Sequence, residues 1–292
     1  MALIDLHTHT DRSDGSTAPD ELVREAVVER LGALAISDHD TLAGYDAAVS
    51  TAAECGIDLV CAVELSTRPN QQPGSAKRAR SVHVLGYWLS SPPTPEFRRY
   101  LETQQASRRQ RNVDLVAKLQ QLGVAIALAD AEVYGRNQVG RPHFARVLLD
   151  KGYVSNMQQA FDVYLADEAQ AAVERDEPAL EEGIRRIKDG GGLAALAHPV
   201  RLPQRGKDLE ALVESLLEAG LEGIEVHHSE HSPADCAEFA GVARRFGLIP
   251  TGGSDYHGDH KPDVRLGSGK DGNVRLPYRF LEEMREMYAA RR

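Results

Sequence analysis

Ile4-Asp5-Leu6-His7-Thr8-His9 places an acid and two histidines where a short apolar run stops. Three later segments repeat the arrangement. Asp38-His39-Asp40 follows Leu34–Ser37, His198-Pro199 follows Leu193–Ala197, and Ser254-Asp255-Tyr256-His257 follows Leu248–Gly253. Imidazole and carboxylate together bind Zn, Mn or Fe, and clustered anionic ligands need a cation to neutralise them. Each segment alone reads as well as surface histidines, a helix cap or a satisfied core histidine. Four in one chain point to a multinuclear metal site, and through it to hydrolysis.

Working outward from these segments identifies the candidate ligands. His7 and His9 stand at i and i+2, so an extended chain points both rings the same way, and Asp255 and His257 repeat that spacing. Asp14 follows in the Ser13-Asp14-Gly15 turn. Glu64 ends an apolar strand, and its two oxygens suit it to bridge two ions. His83 lies between Val82 and Val84-Leu85. Pro199 is expected to hold His198 extended.

The same stretches set the fold. Strands are expected at Leu3–Leu6, Ala33–Ser37, Asp58–Val63, Val82–Tyr87, Leu193–Ala197, Gly223–Val226 and Leu248–Thr251. Helices between them are expected at Pro19–Arg30, Thr41–Cys55 (capped by Asp40 or Thr41), Leu180–Lys188, Leu209–Ala219 and Ala234–Phe246. Arg68–Arg80 is polar and reads as a loop, and Gly190–Gly192 as a turn. Polar residues sit repeatedly at strand C-terminal ends, where α/β barrels collect their active sites, so a parallel barrel is expected rather than an open sheet. From about Pro95 to Asp176 the alternation stops. One long helix over Glu96–Leu122 and short ones near Ala129–Tyr134, His143–Lys151 and Asn156–Leu165 read as a helical insertion over the barrel mouth. The expected division is residues 1–94 and 177–292 for the barrel and 95–176 for the insertion.

Composition narrows the function. The chain has 292 residues, 42% of them hydrophobic and 27% charged, as in ordinary globular proteins. A formal net charge of −10 argues against coating a DNA duplex. There is no apolar run long enough for a bilayer and the N-terminus enters a strand at once, so no signal peptide is expected and the cytoplasm is the expected compartment. Cys55, Cys61 and Cys236 have no CxxC spacing and read as small buried apolar residues. Nothing points to an obligate protein partner.

Leu6-His7-Thr8-His9-Thr10 with Ser13-Asp14-Gly15, Ser37-Asp38-His39-Asp40-Thr41, Ala197-His198-Pro199 and Gly253-Ser254-Asp255-Tyr256-His257 resemble the four signature motifs of the PHP (polymerase and histidinol phosphatase) family. The resemblance spans nearly the whole chain outside the insertion. It implies a distorted seven-stranded barrel holding two to three divalent ions, Mn, Zn or Fe. It further implies that His7, His9, Glu64 and Asp255 hold one ion, Glu64, His83 and His198 a second, and Asp14, His39 and His257 a third. Manganese is the expected metal, because an O- and N-rich site without thiolate tolerates it.

Paired ions roughly 3.5–4 Å apart suit attack on phosphorus, and no G-x-S-x-G motif or P-loop suggests another route. The leaving group needs a proton, for which His228, His231 or a metal-bound water are candidates. Arginine suits phosphate, and the candidate substrate contacts are Arg136, Asn137, Arg141, His143, Arg201 and His228. Arg98, Arg99, Arg108, Arg109 and Arg111 on the long helix read as a solvated face. Within the family, Gly140-Arg141-Pro142-His143-Phe144-Ala145-Arg146 and the Glu225…Ser229…His231-Ser232-Pro233 segment resemble the TrpH-like branch. That resemblance implies removal of the 3′-phosphate from nucleoside 3′,5′-bisphosphates such as phosphoadenosine phosphate, or 5′→3′ digestion of short RNA. Histidinol phosphate hydrolysis and a non-catalytic metal-binding module are the further alternatives.

Overall fold

The computed structural model describes residues 2–69, 81–135 and 139–291. Most of the expected loop at 68–80, together with Arg136 and Asn137, lies outside them. In chain order the elements are β1 (Leu3–Thr8), α1 (Pro19–Val28), β2 (Leu31–Ile36), α2 (Ala43–Cys55), β3 (Asp58–Thr67) and β4 (Val82–Trp88). The helical segment follows, with α3 (Pro95–Gln121), α4 (Leu128–Gly135), α5 (Arg141–Asp150) and α6 (Met157–Ala160), the last running into a π-helical turn at Phe161–Leu165. The alternation then resumes with α7 (Leu180–Asp189), β5 (Leu193–Leu196), α8 (Gly206–Leu217), β6 (Gly223–His228), α9 (Pro233–Phe246) and β7 (Ile249–Gly253). Short strands β8 (Val264–Arg265), β9 (Gly269–Lys270) and β10 (Leu276–Pro277) precede the final helix α10 (Arg279–Ala289).

The seven expected strands form one sheet in the order β1 to β7, and β10 adds an eighth strand on the outer edge of β1. The sheet nearly closes. Beyond β7, Thr8 bridges Tyr256 in parallel, the His9 N–H donates to the Tyr256 carbonyl at 2.9 Å and the Asp255 N–H to the His7 carbonyl at 2.8 Å. Gly253 permits this approach, since a Cβ there would lie 2.2 Å from the His7 nitrogen. Asp5 fills the seam, accepting from the N–H groups of Ser254 and Gly267 at 2.8 Å each.

The sheet is not wholly parallel, as had been expected. β4 runs antiparallel to both β3 and β5. A parallel partner needs a crossover of a dozen or more residues, usually a helix, and the polar Pro/Gly-bearing sequence after β3 carries no helical period. Reversal has a functional consequence: β4 starts at the mouth, so His83, its second residue, lies among the C-terminal ends of the other strands.

Period-2 alternation carries the interior to the site. Ala33, Ala35, Val60, Ala62, Leu85, Tyr87, Leu193, Ala195 and Ala197 form one buried cluster with the apolar face of α10. Glu64 continues the series 60, 62, and His83 the series 87, 85. A second cluster packs α7, α8, α9 and the start of α3 onto the sheet through Val63, Leu65, Val84, Leu196 and Phe97. The far half of α3 joins α4, α5 and α6 in a core of their own through Leu115, Leu119, Phe144 and Leu148. Gly190–Gly192 is the expected turn, with Gly191 at φ 83°.

Three local readings are corrected. Asp40 does not cap α2, whose N-cap is Leu42 with no side-chain bond; tertiary partners take the carboxylate instead. Cys61 is buried and its thiol pushed up to about 12 by burial, but Cys55 is exposed at the end of α2. Arg111 is buried and Arg108 is largely so rather than solvated, whereas Arg98, Arg99 and Arg109 do lie outside, paired with Asp46, Glu96 and Glu132.

Candidate metal centre

At the mouth the strand ends converge on Glu64. Its Oε2 lies 3.3 Å from His7 Nε2, 3.1 Å from His9 Nε2 and 3.3 Å from His39 Nδ1. Its Oε1 lies 2.7 Å from both His83 Nδ1 and His198 Nε2. Asp255 Oδ1 completes the first set at 3.5 Å from His7 Nε2 and 3.3 Å from His9 Nε2. Beside it, Asp14 lies 3.5 Å from His39 Nε2 and 3.3 Å from His257 Nε2. Atoms about 2.1 Å from a common ion, at tetrahedral or octahedral angles, stand about 3.0–3.4 Å apart. The first set, at 3.1–3.5 Å, lies close to that spacing.

The electrostatics agree with a cation between these groups. His7 Nε2, His9 Nε2 and His39 Nδ1 are buried and have no hydrogen-bond partner, although each faces a carboxylate. His7 Nδ1 is 2.8 Å from Glu225 Oε1; donating there, it turns an Nε2 lone pair toward Glu64 and Asp255. Burial opposes ionisation of Glu64, Asp14 and Asp255, yet facing cations and imidazoles hold all three well below the usual carboxylate range. Burial pushes His39 and His198 down to about 3, so both are neutral and able to ligate. The backbone is strained at the same place, with Asp40, His198 and Asp255 at φ 55°, 26° and 58°. His198 is therefore not extended, despite Pro199. Its N–H donates to Glu225 Oε2 at 2.6 Å while its ring is held at Glu64, and these two anchors override the local preference.

The PHP domain model matches residues 5–229. The chain belongs to this family. It is 35% identical over 87% of its length to a 5′-3′ exoribonuclease of Haemophilus influenzae, covering 89% of that protein. It is 32% identical to a 3′,5′-nucleoside bisphosphate phosphatase of Chromobacterium violaceum over 93% of each chain. Its fold matches a Bifidobacterium adolescentis protein, inferred to be a metal-dependent phosphoesterase, with TM-score 0.80 and 28% identity over 97% of this chain and 96% of the other. It is a metal-dependent phosphoric ester hydrolase of the PHP family.

In this PHP domain all nine expected ligands lie at one mouth. Their grouping differs in detail from the implied division: His39 stands with Glu64 and His83 as well as with Asp14, His9 and His257. Three supporting acids stood in the quoted motifs without a role assigned to them. Asp5 and Glu225, each interrupting an apolar strand, hold backbone N–H groups and the His7 ring; Asp38 holds Thr10 and Ser13. An acid in an apolar strand was the available signal. Among the substrate candidates, Arg201 is bonded to Glu230 at 2.7 and 2.8 Å and to Asp255 at 2.9 Å. His228 Nε2 lies 3.2 Å from Asp255, with its Nδ1 accepting from the Glu230 N–H. His231 is turned away, its Nδ1 donating to the Val226 carbonyl and its ring against Phe239. Arg141 pairs with Asp167 at 2.5 Å. His143 is buried in α5, with Nδ1 accepting from the Gly140 N–H.

One pH effect follows. Burial would lower the His9 pKa, but Asp255 and Glu64 raise it to about 9, and His7 is raised in the same direction. A group raised on folding stabilises fully below its unfolded value, near 6.5, and that contribution is lost as pH climbs through its folded value. The metal-free protein is thus expected to lose a few kcal/mol between about pH 6.5 and 9, read as a falling Tm after chelation. With metal in place of the protons the Tm should hold over that window. A flat metal-free profile would remove His9 and His7 as protonated partners of Glu64.

Proposed function

We propose that the nine residues His7, His9, Asp14, His39, Glu64, His83, His198, Asp255 and His257 hold two to three divalent ions, manganese foremost, and that the enzyme removes the 3′-phosphate of nucleoside 3′,5′-bisphosphates. Such ions, when bound, supply charge neutralisation at phosphoryl oxygens and activation of water. The chain's residues provide the rest. Glu225 fixes the His7 tautomer. His228, in contact with Asp255, is placed to hold a proton at Nε2 near the departing oxygen, a role His231 cannot share from its position behind it.

The observation that carries the substrate class is the cavity beside Asp255. It measures about 300 Å³ and is lined by His228, Ser229, Ser254, Asp255, Lys261 and Lys270. That is the lower end of the roughly 300–1,000 Å³ typical of small-molecule sites, and it supports a small guest at this point. Lys261, 2.7 Å from Asp255, and Lys270 offset part of the charge of the lining acids Glu230, Asp255 and Asp263, and the proposed divalent ions would supply the rest of the attraction for an anionic guest. The similarity to the C. violaceum bisphosphate phosphatase points the same way.

The H. influenzae relative favours a second reading, 5′→3′ exoribonuclease activity. A solvated row of arginines along α3 could track an RNA backbone, but Arg108 and Arg111 face inward and leave that row incomplete. We further propose that residues 95–176 form a lid over the mouth. The deciding experiment compares manganese-loaded protein on 3′,5′-phosphoadenosine phosphate and on a short 5′-phosphorylated RNA. We expect at least about tenfold higher kcat/KM on the bisphosphate, with 5′-AMP as product. Stepwise release of mononucleotides from RNA at equal or better efficiency would replace this reading with the second.

A further inference from the structure

β6 ends at His228, and the chain turns through Ser229, Glu230 and His231 into Ser232, the N-cap of α9. The peptide groups of that turn orient the His228 ring. The His231 N–H donates to the His228 carbonyl at 2.9 Å, and the Glu230 N–H donates to His228 Nδ1 at 3.0 Å. An Nδ1 that accepts leaves the ring proton on Nε2, which stands 3.2 Å from Asp255 Oδ2. His228 is therefore built as a hydrogen-bond donor, and its aim depends on where the turn lies.

A segment far along the chain holds the turn in place. Asn273 follows β9, outside the residues 5–229 that the PHP domain model matches. Its Nδ2 donates to the Ser229 carbonyl at 2.9 Å and lies 3.4 Å from the carbonyls of both His228 and His231. An amide NH2 carries two protons, so one side chain can serve more than one of these acceptors. Asn273 is itself fixed. Its Oδ1 accepts from the Lys270 N–H and its own N–H donates to the Lys270 carbonyl, each at 3.1 Å, while the next residue, Val274, is fully buried. The two turns are in close contact at Gly269, where a Cβ would lie 2.6 Å from Asn273 Oδ1 and 2.9 Å from Ser229 Oγ. Ser229 Oγ in turn donates to the Ser254 carbonyl, next to Asp255. His228 and the carboxylate it faces are thus fastened to one another through the segment that Asn273 braces.

We infer that Asn273 is a positioning residue for the reaction: its amide gathers the carbonyls of the β6–α9 turn and so aims the His228 Nε2–H at the departing oxygen. This rests on the role proposed for His228 above. The lone pair that would make the ring a proton carrier is occupied by the Glu230 N–H, so the contribution is stabilisation of charge on the leaving oxygen by donation, and it matters most where that oxygen departs as an alkoxide.

The test uses full-length, manganese-loaded wild type, Asn273→Ala, His228→Ala and the double variant. The substrates are adenosine 3′,5′-bisphosphate and p-nitrophenyl phosphate, whose phenolate departs without such help. His228→Ala is expected to lower kcat on the nucleotide roughly 10²-fold. Asn273→Ala should lower it roughly tenfold, the scale of one ordinary hydrogen bond, with KM and the kcat on the phenyl ester within about twofold of wild type. Adding Asn273→Ala to His228→Ala should cost nothing further, since one acts through the other. Equal losses on both substrates, or additive losses in the double variant, would reduce Asn273 to a structural residue and overturn the inference. Nitrogen-15 spectra of the zinc-loaded, diamagnetic protein supply a readout apart from turnover. The ring signal missing in His228→Ala belongs to His228; it is expected to move in Asn273→Ala, and an unmoved signal overturns the inference whatever the kinetics. If the wild type leaves the bisphosphate intact, or His228→Ala turns it over normally, the reading beneath fails by itself. The ring signal then decides alone: movement supports the positioning role and constancy refutes it.

Discussion

Glu64→Gln is expected to cut phosphate release by roughly 10³-fold or more and to remove at least about one ion per chain. The carboxylate is the hub of the mouth, with five imidazoles at 2.7–3.3 Å around its two oxygens. An amide of the same shape has one oxygen and no charge, so it cannot join two ions, and its NH2 would face nitrogens that must themselves donate electron pairs. Elemental analysis of the purified variant, together with its kcat, checks the claim. Near-normal turnover with a full metal complement would show that Glu64 is not a bridge. The fold should survive, since Glu64 is packed by the site rather than by the apolar clusters, and a circular dichroism melt would separate lost chemistry from lost structure.

Asp40→Ala should cost stability rather than chemistry, by about 3–5 kcal/mol, the usual penalty for leaving buried charge without its partner. Asp40 is fully buried and holds Arg108 from α3 and Arg175 from the segment preceding α7, while accepting from the Ser66 N–H at 2.8 Å. Removing it strands two guanidinium groups beside Arg111. For a chain of this size the Tm is expected to fall by roughly 6–15 °C, measured on the metal-loaded protein so that the site itself is not the variable. A fall below about 1 °C would mean that water or another acid reaches the two arginines.

These two acids mark how far the sequence could be read. Glu64 was legible because it ends an apolar strand whose period-2 alternation points it inward, next to histidines that arrive by the same rule. Asp40 stood in the same motif as His39 and was read as a helix cap, because local spacing shows only local partners. Arg108 lies 68 positions away from it. Arg108 and Arg111 of α3 were misread for the same reason: they continue the inner face of Phe97, Leu101, Leu115 and Leu119 through a polar stretch, and the carboxylate that takes up the Arg108 charge arrives from another element.

β4 makes the point for the fold. Its apolar alternation identified a strand, and His83 within it was flagged, but neither strand direction nor the seam between β1 and β7 is written in a local pattern. Among the described residues, no helix long and apolar enough to cross a membrane is found.

By itself the sequence determined the candidate ligand types, the strands that carry them and the side chains that share a face, because each depends on backbone periodicity and on the chemistry of imidazole and carboxylate. Only the tertiary structure decided which candidate ligands stand together, which acids orient them, how β4 runs and where the buried arginines point. Those outcomes are set by contacts between residues far apart in the chain, whose energies exist only once the sheet has curled and the helices have packed.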